Sequence, residues 1–204
     1  GSLKTNIDGS YNTAIGNLAL ETFEADSANH GENTAVGWKA AANLTTATNI
    51  VAIGAKAMGT GTVTGDSSVA IGYNAGAALT SGHNNVIMGT NAAKLLTTGQ
   101  RNIAIGTNAL DAANGGEDFN IAIGDGALGA LDGANQNVAL GCFAGETATS
   151  VTNAVIVGTS ACGNGVMTSV ADGTVAVGHS ALRVLTNGIG NVAIGSGSMA
   201  VAAT

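Results

Sequence analysis

The chain has 204 residues, of which 32 are Gly and none Pro; charged residues make up 9%, aromatics 3%, and the formal net charge is -7. Low net charge with many β-branched residues excludes a disordered chain, and the lack of proline and of a three-residue glycine period excludes collagen. The six cations, Lys4, Lys39, Lys56, Lys94, Arg101 and Arg183, are scattered, so nucleic acid and anionic membrane surfaces are not expected partners, and no apolar run reaches the ~20 residues that membrane insertion needs.

One unit recurs from end to end. Aligned on its central glycine it stands at Gly16, Gly37, Gly54, Gly72, Gly89, Gly106, Gly124, Gly141, Gly158, Gly178 and Gly195, mostly at steps of 17 or 18 residues. Self-similarity at a short fixed period is the mark of a solenoid. Numbering each copy from its glycine, G, position G-3 runs Thr13, Thr34, Val51, Val69, Val86, Ile103, Ile121, Val138, Val155, Val175, Val192, and position G-1 is a large aliphatic in every copy. Position G-2 is Ala except at Ile87 and Ile156. Short β-branched runs closed by glycine predict a strand in each copy, hence an all-β chain of about eleven coils, roughly 50 Å long at normal strand spacing.

Strand side chains alternate, so G-3 and G-1 share one face and G-2 takes the other. Neither face is polar. One lines the coil; the other needs a cover from outside, because monomers rarely leave long apolar bands in water. The pattern therefore predicts a cyclic homo-oligomer, a dimer or trimer.

After the glycine, an alanine recurs at G+3, from Ala19 to Ala181, with Ser198 last. It predicts a close backbone approach in a second, weaker strand or a tight turn, with large apolar residues such as Leu20, Met58, Leu79, Leu95, Leu110, Leu128 and Leu182 nearby. Asparagine stands at G-4 in Asn12, Asn33, Asn85, Asn102, Asn120, Asn137 and Asn191, with Asn49 and Asn153 one residue earlier. Stacked Asn at a corner reads as a hydrogen-bonding ladder rather than a ligand site. Two longer steps mark inserts, Glu21 to Glu32 (with Glu24, Asp26 and His30) and Cys162 to Gly173 (with Met167 and Asp172). Cys142 and Cys162 fall at different repeat positions and read as free thiols.

Chemistry is sparse. His30, His83 and His179 occupy unequal positions and cannot stack into a metal ladder. The acidic group Glu117, Asp118, Asp125 and Asp132 reads as a solvated face rather than a calcium site. No nucleophile elbow and no carboxylates converging in a cleft are visible, so no enzyme, metal or cofactor is expected. The residue after the glycine varies most, and recognition on a fixed scaffold belongs there. Trp38, Tyr73, Phe143 and His179 are the ligand-binding candidates on this reading, against local packing as the alternative.

The unit Asn-x-Ala-Ile-Gly-x-x-Ala, seen at Asn12 to Ala19 and Asn102 to Ala109, resembles the YadA-like head repeats of trimeric autotransporter adhesins and the repeats of bacteriophage tail fibres. The resemblance covers about residues 10–200. It implies a left-handed parallel β-roll, a parallel homotrimer and a role in attachment to a host surface glycan or protein receptor. The 17–18-residue step is longer than in adhesin heads and closer to the phage-type arrays. The first expectation is thus an adhesive segment of a virion tail fibre, the second an adhesin head on a bacterial cell surface. Residues 11–200 form one repeat domain on this reading. Residues 1–10 are a lead-in in which Gly1-Ser2 looks like a tag remnant, and 201–204 close the fragment.

Overall fold

The computed structural model describes residues 1–6, 9–23 and 31–200. They wind as a β-solenoid whose strands are β1 (Thr13–Ile15), β2 (Thr34–Val36), β3 (Val51–Ile53), β4 (Val69–Ile71), β5 (Val86–Met88), β6 (Ile103–Ile105), β7 (Ile121–Ile123), β8 (Val138–Leu140), β9 (Val155–Val157), β10 (Val175–Val177) and β11 (Val192–Ile194). They form one parallel sheet of eleven strands in chain order. The register never slips: Ile103 faces Val86 on one side and Ile121 on the other.

Two features of the unit set this register. The motif glycine allows backbone to lie on backbone. At Gly106 φ is +135°, and a Cβ there would come within 2.4 Å of the Gly124 carbonyl oxygen. Any side chain would thus force the coils apart and strain a conformation reserved for glycine. The buried asparagines supply the second lock. The Asn102 side-chain oxygen accepts from the backbone N–H of Asn120 at 2.9 Å, while its amide donates to Glu117 O at 2.5 Å and to Asn85 Oδ1 at 3.2 Å. Asn33, Asn85, Asn120 and Asn137 make equivalent bonds. Asn49 and Asn153 do not join the ladder; they sit one residue early in left-handed backbone (φ 58° and 59°), and Ile50 and Ala154 take the rung positions, both buried.

The region after each glycine is a tight turn, not a second strand. The reason is its backbone: in the sixth coil Asn108 (φ 53°) and Leu110 (φ 55°) are both left-handed, which an extended chain excludes. The alanine does mark close approach. Leu110 N donates to Ala127 O at 3.0 Å and Leu128 N to Ala144 O at 3.0 Å, a second ladder on the far side of the coil. Residues 3–5 lie against the first coil in the same way, Leu3 N donating to Ala19 O at 2.9 Å as Leu20 N donates to Ala40 O at 3.1 Å.

The core takes its residues from three walls. The strand contributes only G-2, buried from Ala35 to Ala193. The turn contributes Leu20, Met58, Leu110, Leu128 and Leu182, and the third wall contributes Phe23, Leu44, Leu79, Leu96, Leu131 and Leu185. Of the large apolar residues near the G+3 alanine, Leu95 is exposed, and its neighbour Leu96 is buried instead. The two isoleucines that replace the G-2 alanine have an explanation in volume. Ile87 fills the space over Gly76, whose Cβ would lie 2.9 Å from Ile87 Cδ1, and Ile156 does the same over Gly145, also at 2.9 Å. Small and large have exchanged walls, which keeps the interior filled.

The strand's larger residues, at G-3 and G-1, therefore point outward. None of them is buried, and Ile15, Ile53, Met88, Ile123 and Ile194 are exposed. The first insert reaches Phe23, which is buried; Glu24, Asp26 and His30 lie outside the described residues. The second insert closes with a 3₁₀ turn, Ser169–Ala171, buries Met167, and uses Asp172 Oδ1 to accept the Thr152 N–H at 2.8 Å.

Two substitutions separate the locks. Gly106→Ala is expected to cost about 2–5 kcal/mol from strain and overpacking together, measured by denaturant unfolding. Asn102→Ala leaves the Glu117 carbonyl and the Asn120 N–H without partners and is expected to cost about 2–4 kcal/mol, against well under half of that for Asn191→Ala, whose side chain bonds Gly188 O within its own coil.

Candidate functional site

The four sequence candidates do not form one site. Trp38, Tyr73 and His179 all follow a motif glycine and all face solvent, but they stand on the second, fourth and tenth coils. Phe143 lies one residue further on, in the eighth. Trp38 is 46% exposed, yet its ring is already engaged: the ammonium groups of Lys39 and Lys56 each lie 5.3 Å from its centroid. Exposed contacts of this kind contribute about 0.5–1 kcal/mol each. Trp38 is thus packed by its own lysines, and Tyr73, two coils away across Ala55, does not meet it. His179 has no partner cluster; among the described residues no group of three His, Cys, Asp or Glu is placed to hold a metal ion. His83 sits in its turn with Nδ1 3.4 Å from Ser81 O.

The acidic group is a solvated face only in part: Asp125 and Asp132 are exposed as expected, while Glu117 and Asp118 turn to the backbone. Glu117 is fully buried. Its carboxylate accepts from Gly115 N at 3.0 Å and Gly133 N at 2.8 Å, tying two turns together. Asp118 Oδ1 accepts from Gln100 N at 2.8 Å. These carboxylates hold backbone, because a polar group taken into a coil corner must find donors there.

An open groove of about 680 Å³ is lined by Asn108 and Asp111 of the sixth coil, Gly126, Gly129 and Ala130 of the seventh, Glu146 and Thr147 of the eighth, and Gly163 and Asn164 of the ninth. Of the four candidates, Phe143 comes nearest to it, through its contact with Gly126 at the groove's margin. The groove exists because the seventh coil lacks side chains where its neighbours carry them. At G+2, a ladder runs from Asn74 to Asn91 (3.2 Å) and from Asn91 to Asn108 (3.4 Å). It stops there because the next rung is Gly126. The Phe143 ring leans into the gap, its Cδ1 only 2.9 Å from where a Gly126 Cβ would stand. At G+5, Lys94 and Asp111 are followed by Gly129, Glu146 and Gly163.

Two carboxylates reach over this bare turn from opposite sides. An Asp111 oxygen lies 3.5 Å from the Cβ position of Gly129, and a Glu146 oxygen 3.8 Å from that of Gly126. Among the described residues the one ion pair is Lys4–Glu21, at 3.8 Å, so neither carboxylate is neutralised by direct contact. Burial lifts the Asp111 carboxyl above its ordinary value of 3.8, with a backbone hydrogen bond and the charge of Lys94 opposing the lift. Asp111 and Glu146 thus line one open groove, a pairing that the repeat pattern did not bring out. Asp111 and Glu146 lie 35 residues apart in sequence; only the coil stacking brings them together. Their signal in the sequence was the glycine pair Gly126 and Gly129, which breaks two outward columns in a single copy.

The cysteines behave as expected of free thiols: Cys142 is half-buried, and Cys162 is buried, its thiol pushed up to about 12 by burial. Among the described residues no helix is long and apolar enough to cross a membrane. Comparison with family models, with curated proteins and with solved structures gives no match.

Because its folded value is raised, Asp111 holds its proton more tightly folded than unfolded, and its ionisation costs stability as pH rises past 3.8. Asp111→Asn is expected to raise the melting temperature at about pH 7 and to change nothing below about pH 3, where Asp111 is protonated in both states. A calorimetric pH series on both proteins measures this.

Proposed function

We propose that this chain is a segment of an attachment fibre: a parallel homotrimer of left-handed β-solenoids, carried on a virion tail fibre and presenting its outer columns to a host-surface glycan or protein receptor. One observation carries the reading. The outward strand face is an unbroken band of β-branched and large aliphatic side chains, two residues wide and eleven strands long, about 50 Å at normal strand spacing. Soluble monomers rarely carry an apolar band of that extent. Its unbroken register favours an identical rod as the cover, since a second copy presents the same strand spacing. The resemblance of the Asn-x-Ala-Ile-Gly-x-x-Ala unit supports the left-handed winding, the three-fold assembly and the attachment role, and the 17–18-residue step supports the tail-fibre setting.

Light scattering on the purified chain at micromolar concentration is expected to give three times the 19.6 kDa of one chain; a clean monomer overturns the reading. The double variant Ile105→Glu, Ile123→Glu puts charges on adjacent coils of the band. It is expected to yield monomer while the circular dichroism of the sheet persists, because both side chains point away from the core.

A further inference from the structure

We propose that the groove over the seventh coil is a binding site for a non-acidic saccharide, with Asp111, Glu146 and Asn108 taking its hydroxyls and the Phe143 ring taking one of its C–H faces. The site supplies the ligand class for the attachment reading and depends on that reading only for its biological setting.

The chemistry of the walls selects the ligand. Two carboxylates from the sixth and eighth coils lean over Gly126 and Gly129, and no cation pairs with either at contact distance among the described residues. A carboxylate offers only acceptors; a ligand that satisfies two of them must bring several donors. Asn108, where the amide ladder ends, adds a group that both donates and accepts. The Phe143 ring, 37% exposed and set against Gly126 at the groove's margin, adds one apolar face. A ligand rich in hydroxyls on one side and in C–H on the other meets all three, and a pyranose has that form. An acidic sugar is disfavoured by like charge against Asp111 and Glu146. A bare divalent cation is disfavoured too, since calcium takes six to eight oxygens and among the described residues no third His, Cys, Asp or Glu joins the pair.

The raised Asp111 value fits the same picture. Asp111 is a carboxylate kept at some cost to folding in a column where the neighbouring coils carry Lys94 and Gly129.

The test uses a repair that the repeat itself supplies. Gly126→Asn restores the residue found at the same position in the three preceding coils, Asn74, Asn91 and Asn108. At φ +61° asparagine is tolerated, and the flexible Phe143 ring is the atom group that must yield. The variant is expected to melt no lower than the parent while filling the groove. Gly129→Lys, which copies Lys94, is a second filling variant. The parent protein is applied to an array of neutral, amine-bearing and acidic glycans, and hits are titrated by calorimetry. Binding is expected for neutral or amine-bearing glycans and not for uronates or sulfated sugars. Either filling variant is expected to weaken it at least tenfold, and Asp111→Asn or Glu146→Gln severalfold. No non-acidic glycan bound at millimolar concentration, or affinity unchanged in both filling variants, overturns the proposal. Light scattering on each sample keeps the outcomes apart: a trimer that binds no sugar refutes the groove and leaves the fibre reading standing, and a monomer that binds sugar does the reverse.

Discussion

Backbone contact between successive motif glycines is the constraint on which the rest depends. With the Gly124 carbonyl 2.4 Å from where a Gly106 Cβ would be, the coils meet without side chains between them, and the separation is that of paired strands. Every other position then falls into a column one residue wide. The asparagine ladder, the alanine-side ladder and the outward aliphatic band are each such a column. Left-handed backbone also recurs in columns: in the sixth coil Arg101, Asn108 and Leu110 have φ of 57°, 53° and 55°. Conformations of this kind cost about 1–3 kcal/mol at an isolated non-glycine residue. They persist because the coils above and below bond each one's backbone, as Arg101 N to His83 O at 3.1 Å and Asn108 N to Thr90 O at 3.0 Å.

The same constraint decides which strand face goes inside. The coil is narrow, and leucines from the turn and from the third wall already occupy its centre. Only a methyl fits from the strand, so alanine turns in and the β-branched residues turn out. Where an isoleucine does turn in, at Ile87 or Ile156, a glycine in the preceding coil has withdrawn to make room. The apolar band is therefore already a consequence of a thin core: β-branched residues favour the strand conformation, and the interior has no space for them.

Much of this was legible in the sequence. The strands, their glycine and the Asn corner follow from columns that repeat, and periodicity reports such columns directly. What the sequence left open was direction and depth. Alternation says that G-3 and G-1 share a face without saying which face is inside, because both are apolar; interior volume decides, and volume is set by residues such as Leu44 and Leu96 from other walls. Glu117 was misjudged for a related reason. Its acidity suggests solvent, but its position at a corner brings two backbone donors, Gly115 and Gly133, within reach. The groove escaped notice because it is made by missing side chains. Aromatics draw attention to Trp38 and Tyr73, whereas Gly126 and Gly129 look like two more glycines in a chain that has 32.

A stack of this kind has few ways to become specific. An inward change must be balanced in the adjoining coil, as Gly76 balances Ile87, and the balance leaves the exterior as it was. A change in the glycine column breaks the stacking itself, and the asparagine column admits buried replacements such as Ile50, Ser68, Ala154 and Thr174, which again leave the exterior as it was. Only the outward columns at G+1, G+2 and G+5 vary without a matching change next door. There a larger side chain raises a knob, as Trp38 does, and its neighbours Lys39 and Lys56 fold over it. A glycine instead opens a concavity whose walls are the side chains of the coils above and below. Recognition needs more than one wall, and only the second kind of change supplies walls from different coils. That is why Asp111, Phe143 and Glu146 acquire a shared purpose from Gly126 and Gly129, while the chain's single tryptophan, more conspicuous by itself, stays a surface feature.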